Sequence, residues 1–199
     1  MKKASVLFAA IFVAFAFVSF NTISANDFAV GTTLEDFKLP DINGKEQSFN
    51  SLKGKNGAVL VFLSAQCPFV KQYNERINQI AAEYESKGIA FIGINSNATE
   101  SLEYVKTNAS EIGYKFPVLI DKGNVLADKI GATVTPETYY FDAKNVLLYH
   151  GAIDNDKSGK GITENYLKTA FDSSLGGKKI EKTRANAIGC SIKRAKAAE

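Results

Sequence analysis

The sequence predicts an α/β fold in which helices flank a central mixed β-sheet, and three observations lead to this prediction. Residues 58–63 and 89–94 are continuous apolar runs, which are typical of strands buried on both faces. Between these runs, apolar residues recur at spacings of three and four, which indicates an amphipathic helix. Residues 138–141 and 146–149 flank a polar turn, so they predict an antiparallel pair that makes the sheet mixed.

A short N-terminal hairpin is predicted ahead of the first central strand. Residues 37–45 contain a short strand followed by Asn43-Gly44, a dipeptide that favours tight hairpin turns. Residues 54–57 begin and end with glycine, so they mark a break before the strand at 58–63.

The first long helix is predicted to begin directly after Cys67. Pro68 suits the first helical position, where no N–H is needed, and Gly88 suits the position after the last turn. The residues predicted to face the core are Val70, Tyr73, Ile77, Ile80, Ala81 and Tyr84.

Three further helices and a third buried strand at 116–120 are predicted in the remainder of the domain. Asn97 with Glu100 fits the cap of a second helix, and a short helix at 125–130 ends at Gly131. A last helix is predicted from Thr163 to the glycines at 176–177, and the residues after it have no clear period. The predicted inward-facing residues are Leu102, Val105, Ala109 and Ile112 in one helix and Tyr166, Leu167, Ala170 and Phe171 in the last.

The first 25 residues have the layout of a secretory signal peptide. Lys2 and Lys3 precede an apolar stretch at 4–20, and small residues follow up to Ala25. We therefore expect cleavage near Ala25 and a periplasmic or secreted mature protein without stable membrane association. An uncleaved membrane anchor is the alternative, because this stretch lies at the short end of the range for a spanning helix.

The chain thus divides into a signal peptide at 1–25, a folded domain at 28–176 and a basic C-terminal tail at 177–199 that carries Cys190. Cleavage lowers the number of Lys and Arg residues from 24 to 22, against 21 Asp and Glu, which leaves a net charge of about +1. That charge is too small to predict a nucleic-acid partner. Residues 178–199 are locally basic, which favours a solvated tail, with a binding patch as the alternative.

Cys67 and Cys190 are the only cysteines, and Cys67 is the candidate nucleophile. It precedes a predicted helix, whose free N–H groups and dipole favour a thiolate, and Lys71 adds a positive charge one turn on. A thiolate attacks disulfides and peroxides, whereas the alternative is a buried, inert cysteine. Two cysteines and one histidine are too few for a closed zinc site. The expected thiol chemistry implies no metal or organic cofactor.

Two groups of residues carry a resemblance to a known family. The stretch from Asp36 through 40–45 and 52–55 into Cys67-Pro68 resembles the redoxin family, which includes alkyl hydroperoxide reductases, thiol-specific antioxidant proteins and exported thioredoxin-like reductases. More narrowly, Cys-Pro-Phe-Val-Lys at 67–71 and Gly-Cys-Ser-Ile-Lys at 189–193 resemble paired motifs of a peroxiredoxin-like subgroup. The resemblance covers about residues 28–175 and implies a thioredoxin-like fold with an N-terminal hairpin extension.

The resemblance also implies which residues form a redox site. Cys67 would be the nucleophile, and Cys190 would be either a resolving cysteine or half of a structural bridge. The Thr135–Pro136 bond would be cis and face Cys67, with Thr135 offering backbone groups to a substrate chain; an ordinary edge-strand proline is the alternative. The candidate substrate-binding residues are Ser64, Pro68, Lys71, Thr135 and Pro136.

Departures from the family patterns bear on the choice of activity. Val70 stands where a Cys-x-x-Cys motif has its second cysteine, and Leu60 stands where the peroxiredoxin motif has proline. None of the three arginines, Arg76, Arg184 and Arg194, stands where the peroxiredoxin arginine is expected.

The predicted function is therefore exported thiol–disulfide oxidoreduction, with a protein disulfide as substrate and an external thiol as electron donor. One alternative is a peroxiredoxin-like thiol peroxidase with an antioxidant role and a peroxide substrate. The other is a thioredoxin-fold binding module without catalysis.

Overall fold

The computed structural model describes residues 28–195, and the predicted signal peptide at 1–25 lies outside this range. The described residues form an α/β structure, as predicted. Its helices are α1 (Phe49–Leu52), α2 (Pro68–Glu85), α3 (Leu102–Ile112), α4 (Val125–Ile130) and α5 (Tyr166–Leu175). Its strands are β1 (Lys38–Pro40), β2 (Glu46–Ser48), β3 (Ala58–Leu63), β4 (Ala90–Asn95), β5 (Val118–Ile120), β6 (Val134–Thr135), β7 (Glu137–Phe141), β8 (Leu147–Gly151), β9 (Arg184–Ala185) and β10 (Cys190–Ser191).

The central sheet is mixed and has the order β5-β4-β3-β7-β8-β9. Strands β3, β4 and β5 run parallel, β7 is antiparallel to both β3 and β8, and β9 is parallel to β8. The predicted N-terminal hairpin is also present, because β1 pairs with β2 in an antiparallel ribbon.

Strand β3 lies inside the sheet because all six of its side chains are apolar and buried. Successive side chains of a strand point to opposite faces, so β3 supplies both halves of the core. Val59, Val61 and Leu63 pack in one cluster with α2 and α5, whereas Leu60 and Phe62 pack in the other with α4.

Helix α2 forms where the sequence predicts it. Pro68 occupies its first turn, and the six residues predicted to face the core are the ones buried. Gly88 has φ of 82°, a left-handed conformation that favours glycine in the turn after a helix. The helix therefore begins directly after Cys67, the residue that carries the candidate chemistry.

Two helix starts differ from the prediction. Helix α3 is capped by Ser101, whose hydroxyl accepts the N–H of Tyr104, and not by Asn97 with Glu100. As a result Leu102 is exposed instead of facing inward. Helix α5 begins at Tyr166, later than the predicted start at Thr163.

The predicted solvated character of the tail is wrong for its strands. Strand β9 extends the central sheet, and β10 pairs with β6 in a separate antiparallel ribbon. Ala185 and Ile192 of the tail are buried in the two core clusters. The tail beyond residue 177 thus belongs to the packed structure on both sides of Cys190.

The tail is held beyond Cys190 by polar contacts. The backbone of Lys193 donates to the Asn97 side chain at 3.0 Å and accepts the N–H of Ala98 at 2.9 Å. The Arg194 side chain donates to the carbonyl of Ala132 and pairs with Asp128. Within residues 28–195, the helices are all too short or too polar to span a membrane.

Candidate active site

Cys67 lies at the N-terminus of α2, where β3 has delivered the chain to one edge of the sheet. It is the N-cap residue, and its N–H donates to the Ser64 hydroxyl at 3.1 Å. Only 2% of Cys67 is exposed, so the candidate nucleophile is covered in this structure.

Cys190 covers Cys67 from the tail. The two sulfur atoms lie 2.6 Å apart, and both cysteines are free thiols here. Strand β10 places Cys190 there because Cys190 is the register partner of Thr135 in β6. The structure therefore brings together two cysteines that are 123 positions apart in the sequence.

The Thr135–Pro136 peptide bond is cis and lies beside the two sulfurs, as the resemblance implied. The Cys67 thiol donates to the carbonyl of Thr135 at 3.2 Å. Gly189 passes so close to this carbonyl that a Cβ on Gly189 would overlap it. The backbone that was expected to receive a substrate chain is thus paired with the protein's own tail.

The two thiols differ in acidity. Burial opposes ionisation of Cys67, but hydrogen bonds from the Cys190 thiol, the Thr135 side chain and the Val70 N–H outweigh it, so the pKa of Cys67 is lowered. Burial, the hydrogen bond to Cys67 and the nearby Cys67 charge together raise the pKa of Cys190. The pair therefore ionises at Cys67 and keeps its proton at Cys190.

A carboxylate that the sequence analysis assigned to a helix cap organises the loop before Cys67. Glu100 accepts the Ser64 hydroxyl at 2.5 Å and the N–H groups of Ala65 and Gln66 at 3.1 Å each. The Asn95 side chain donates to the same carboxylate at 2.6 Å. Since the Ser64 hydroxyl also accepts the Cys67 N–H, Glu100 acts on Cys67 through Ser64.

The position of Glu100 after a predicted central strand could have identified it as a site residue. The residue follows the carboxyl end of β4, and β4 is the parallel neighbour of β3, which leads to Cys67. The carboxyl ends of parallel strands meet at one edge of a sheet, where sites commonly form. Asn97 and Glu100 have the spacing of a helix cap, so Glu100 was predicted to cap a helix and not to lie at the site.

A buried pair holds the segment that precedes Pro136. The Glu137 carboxylate accepts the N–H of Thr133 at 2.8 Å and that of Val134 at 3.3 Å. Its other oxygen lies 2.7 Å from His150 Nε2, and the His150 ring stacks on Tyr139. His150 thus has a structural place behind β6, which agrees with its position at the end of a hairpin strand.

The remaining candidate residues lie at different distances from the sulfurs. Pro68 is exposed in the first turn of α2, next to Cys67. Lys71 is exposed and lines a separate groove with Asn74 and Asn78, so the donors that lower the pKa of Cys67 are other groups. Within residues 28–195, no three His, Cys, Asp or Glu side chains converge as a metal site.

Two of the three arginines are engaged elsewhere in the described structure. Arg76 pairs with the buried Asp154 and donates to the carbonyls of Asp156 and Lys157. Arg194 pairs with Asp128 on the opposite helix layer. Within residues 28–195, the hydrogen bonds of Cys67 involve no arginine.

Comparison with known proteins places this geometry in context. A model of the AhpC/TSA family matches residues 30–150. The thiol-disulfide oxidoreductase ResA of Bacillus anthracis is 29% identical over 113 residues, which are 57% of this chain and 64% of that protein. The chain therefore spans less than two thirds of the length of this relative.

Two solved structures show how far the architecture is shared. A hypothetical protein from Sinorhizobium meliloti 1021 is 34% identical with a TM-score of 0.79, over 86% of this chain and 98% of that one. The exposed lipoprotein thioredoxin Etrx1 from Streptococcus pneumoniae is 22% identical with a TM-score of 0.56, over 69% of this chain and 99% of that one. The second likeness concerns the fold alone, and that fold is thioredoxin-like.

Proposed function

The chain belongs to the AhpC/TSA family, and from this membership we propose that it is a thiol–disulfide oxidoreductase with Cys67 as nucleophile and Cys190 as resolving cysteine. One observation carries the proposal: the two sulfurs lie 2.6 Å apart at the N-terminus of α2. The tail supplies a second thiol that the helix itself lacks, since Val70 occupies the fourth position of a Cys-x-x-Cys spacing. The similarity to proteins named thiol-disulfide oxidoreductase supports the same reaction class.

The proposed reaction proceeds in two exchanges. The Cys67 thiolate attacks one sulfur of a substrate disulfide, forms a mixed disulfide and releases the first substrate thiolate. Cys190 then loses its proton and attacks Cys67 Sγ, which forms the Cys67–Cys190 disulfide and releases the second substrate thiolate. The substrate gains two electrons, the cysteine pair loses two, and an external thiol returns them.

The tail must yield locally for the first exchange. Cys67 is covered by Cys190. In contrast, Ile188, which lies two residues before Cys190, is 68% exposed. The segment 186–189 lies between strands β9 and β10, so it would move together with Cys190 when the pairing of β10 with β6 opens. A shift that includes Cys190 would uncover Cys67 while Ile192 stays in the core.

Hydrogen bonding favours disulfide exchange over peroxide reduction. Fast peroxide cleavage needs fixed donors for the leaving oxygen, and the loss of one such donor typically costs about 100–1,000-fold in rate. The Ser64 hydroxyl donates to Glu100, and the hydrogen bonds of Cys67 within residues 28–195 include no arginine. Disulfide exchange needs only a thiolate, access and a leaving thiolate.

We place the reaction outside the cytoplasm. The signal-peptide layout at 1–25 supports export with cleavage near Ala25, and an oxidising compartment suits a reversible cysteine pair. A protein disulfide is the proposed substrate, and an external thiol is the proposed donor. Intact mass of the mature protein from its native host tests the cleavage, and a retained Lys2 would contradict it.

A side-by-side rate measurement tests the reaction. Wild type should reduce a peptide mixed disulfide far faster than it reduces hydrogen peroxide, when both rates are expressed per thiolate. Cys67→Ser should abolish the exchange. In Cys190→Ser the reaction should stop after the first exchange, with the substrate peptide joined to Cys67 in a stable mixed disulfide. Ser191→Ala, an exposed neighbour in β10, is the matched control and should keep the wild-type rate.

The same assay separates the alternatives. A Cys67-dependent peroxide rate with negligible exchange would establish the peroxidase instead. Equal rates for wild type and Cys67→Ser in both reactions would leave the binding module as the function.

A further inference from the structure

A cleft of about 600 Å³ opens beside the cysteine pair. Its lining includes Phe69, which is two residues after Cys67, and Pro136, which follows Thr135. The exposed Ile188 of the tail lines it as well. Neither cysteine lines the cleft, but these three lining residues are near neighbours in the chain of Cys67, Thr135 and Cys190. The volume of the cleft is in the range of small-molecule pockets.

Cys190 is the more accessible sulfur of the pair. It is half-buried, whereas Cys67 is almost fully buried. The Phe69 N–H hydrogen-bonds the Cys190 sulfur, which places that sulfur against a lining residue of the cleft. An incoming group in the cleft therefore meets Cys190 before Cys67.

The size of the ligand follows from the tail. An extended polypeptide could add to β6 only if the edge of β6 were open, but β10 already pairs with it. The close approach of Gly189 to Thr135 leaves no space between them. With the tail in place, a small molecule fits this approach and an extended chain does not.

The charge of the ligand follows from the cations in the lining. Lys157 Nζ lies 4.7 Å above the Phe69 ring, and Arg184 lines the same cleft. Neither side chain has an ion-pair partner among the described residues, in contrast to Lys182, which pairs with Glu164. Of the two acidic side chains of the lining, Asp154 pairs with Arg76, whereas Asp156 keeps its charge while it accepts the Gly161 N–H and the Ser158 hydroxyl. The unpaired charges of the lining are therefore two cations against one anion.

We propose that the cleft binds a low-molecular-weight thiol that carries a carboxylate, and that this thiol reduces the Cys67–Cys190 disulfide by attacking Cys190 Sγ. This inference rests on the proposed function and names its electron donor. The donor thiolate forms a mixed disulfide with Cys190, and the Cys67–Cys190 bond breaks with its electron pair on Cys67. A second donor thiolate attacks the donor sulfur of that mixed disulfide, releases the oxidised donor and leaves Cys190 as a thiolate, which then takes up a proton.

The acidities of the two cysteines agree with this direction of attack. In thiol–disulfide exchange, the thiol with the lower pKa leaves faster. The hydrogen bonds at the start of α2 lower the pKa of Cys67, so Cys67 is the better leaving group of the pair.

The test uses the oxidised, mature-length protein and three probes: reduced glutathione, neutral 2-mercaptoethanol and cationic cysteamine. Rates of disulfide reduction are measured by alkylation and intact mass, and each rate is divided by the thiolate fraction of its probe. Glutathione should be favoured over cysteamine by about threefold to tenfold, and added salt should reduce the difference. Arg184→Glu and Lys157→Glu should each lower the glutathione rate and raise the cysteamine rate.

Two controls make the result specific. Lys106→Glu reverses an exposed charge on α3, a helix that does not line the cleft, and should change neither rate. Rapid acid quenching followed by peptide mapping should find glutathione on Cys190.

Two results would overturn the inference while the proposed function stands. One is that the disulfide-reduction rates of the three probes depend only on their thiolate fractions, and that Arg184→Glu changes none of them. The other is glutathione attached to Cys67 at the earliest times. A disulfide that never forms, or that 2-mercaptoethanol also fails to reduce, would overturn the proposed function together with the inference.

Discussion

The acidity of Cys67 depends on groups that are distant in the sequence. The position of Cys67 before a helix could be predicted from the sequence, because an apolar strand followed by Pro68 indicates a helix N-terminus there. Lys71 seemed the natural source of positive charge, yet the hydrogen bonds come from Cys190, Thr135 and the α2 backbone. Sequence spacing finds neighbours along a helix, whereas these partners arrive by tertiary folding.

Removal of the Cys190 thiol should therefore raise the pKa of Cys67. Cys190→Ala deletes a hydrogen bond to the thiolate, so the thiolate should appear at higher pH than in wild type. In wild type the hydrogen bonds to Cys67 lower the pKa of Cys67, so a larger fraction of Cys67 is thiolate at a given pH than in an ordinary thiol. Thiolate absorbance against pH reports both values, and Lys71→Ala is the control that should leave the Cys67 titration in place.

Glu100 should act as a positioning residue for Cys67. Glu100→Ala removes the acceptor for four donors, and unpaired donors of this kind cost about 1–3 kcal/mol in unfolding free energy. The disulfide-exchange rate should fall as well, because the Ser64–Cys67 contact loses its support. Glu100→Gln should restore part of the rate, and Glu111→Ala, an exposed carboxylate on α3, should change neither quantity.

At the scale of elements, periodic segments were predictable and short paired strands were not. Strand β3 and helix α2 carry long apolar patterns, so their bounds match the sequence prediction closely. Strands β9 and β10 have two residues each, and their partners β8 and β6 are distant in the chain. A two-residue strand has no period to detect, so the tail was predicted to be solvated.

Gly189 should be essential for the docking of β10. In Gly189→Ala the new Cβ would overlap the Thr135 carbonyl, so the pairing of β10 with β6 should be lost. Cys67 should then alkylate faster, and the Cys67–Cys190 disulfide should form more slowly. Gly161→Ala is the matched control, since its Cβ would meet Asp156 at an ordinary 3.5 Å. Unchanged alkylation of Cys67 in Gly189→Ala would show that β10 does not cover it.

At the scale of the molecule, the sheet and the tail form one unit around the site. Cys67 and Glu100 follow the carboxyl ends of β3 and β4. Thr135 lies in β6, and Cys190 lies in the tail. The two motifs that contain Cys67 and Cys190 predicted, through the family resemblance, that these cysteines act together. No local sequence pattern predicted how they are arranged in space. The anchors on both sides of Cys190 hold it in place before any bond forms.

Oxidation of this pair should stabilise the whole domain. A disulfide that closes a loop of this length reduces the entropy of the unfolded chain by an amount equivalent to about 4–5 kcal/mol. Thermal unfolding of the oxidised protein should therefore occur at a higher temperature than that of the reduced protein. Cys190→Ala, treated with the same oxidant and reductant, should show one unfolding temperature. Equal unfolding temperatures for the two wild-type forms would contradict the expected loop closure.

Peptide mapping after a stoichiometric dose of a disulfide oxidant tests the central claim most directly. The account predicts one cross-linked species that joins the Cys67 and Cys190 peptides, returns to two thiols on reduction, and is absent in Cys190→Ser. In Cys190→Ser, the oxidant should remain attached to Cys67 as a mixed disulfide. Identical oxidised forms of Cys67 in wild type and Cys190→Ser, with Cys190 still a free thiol in wild type, would contradict the account.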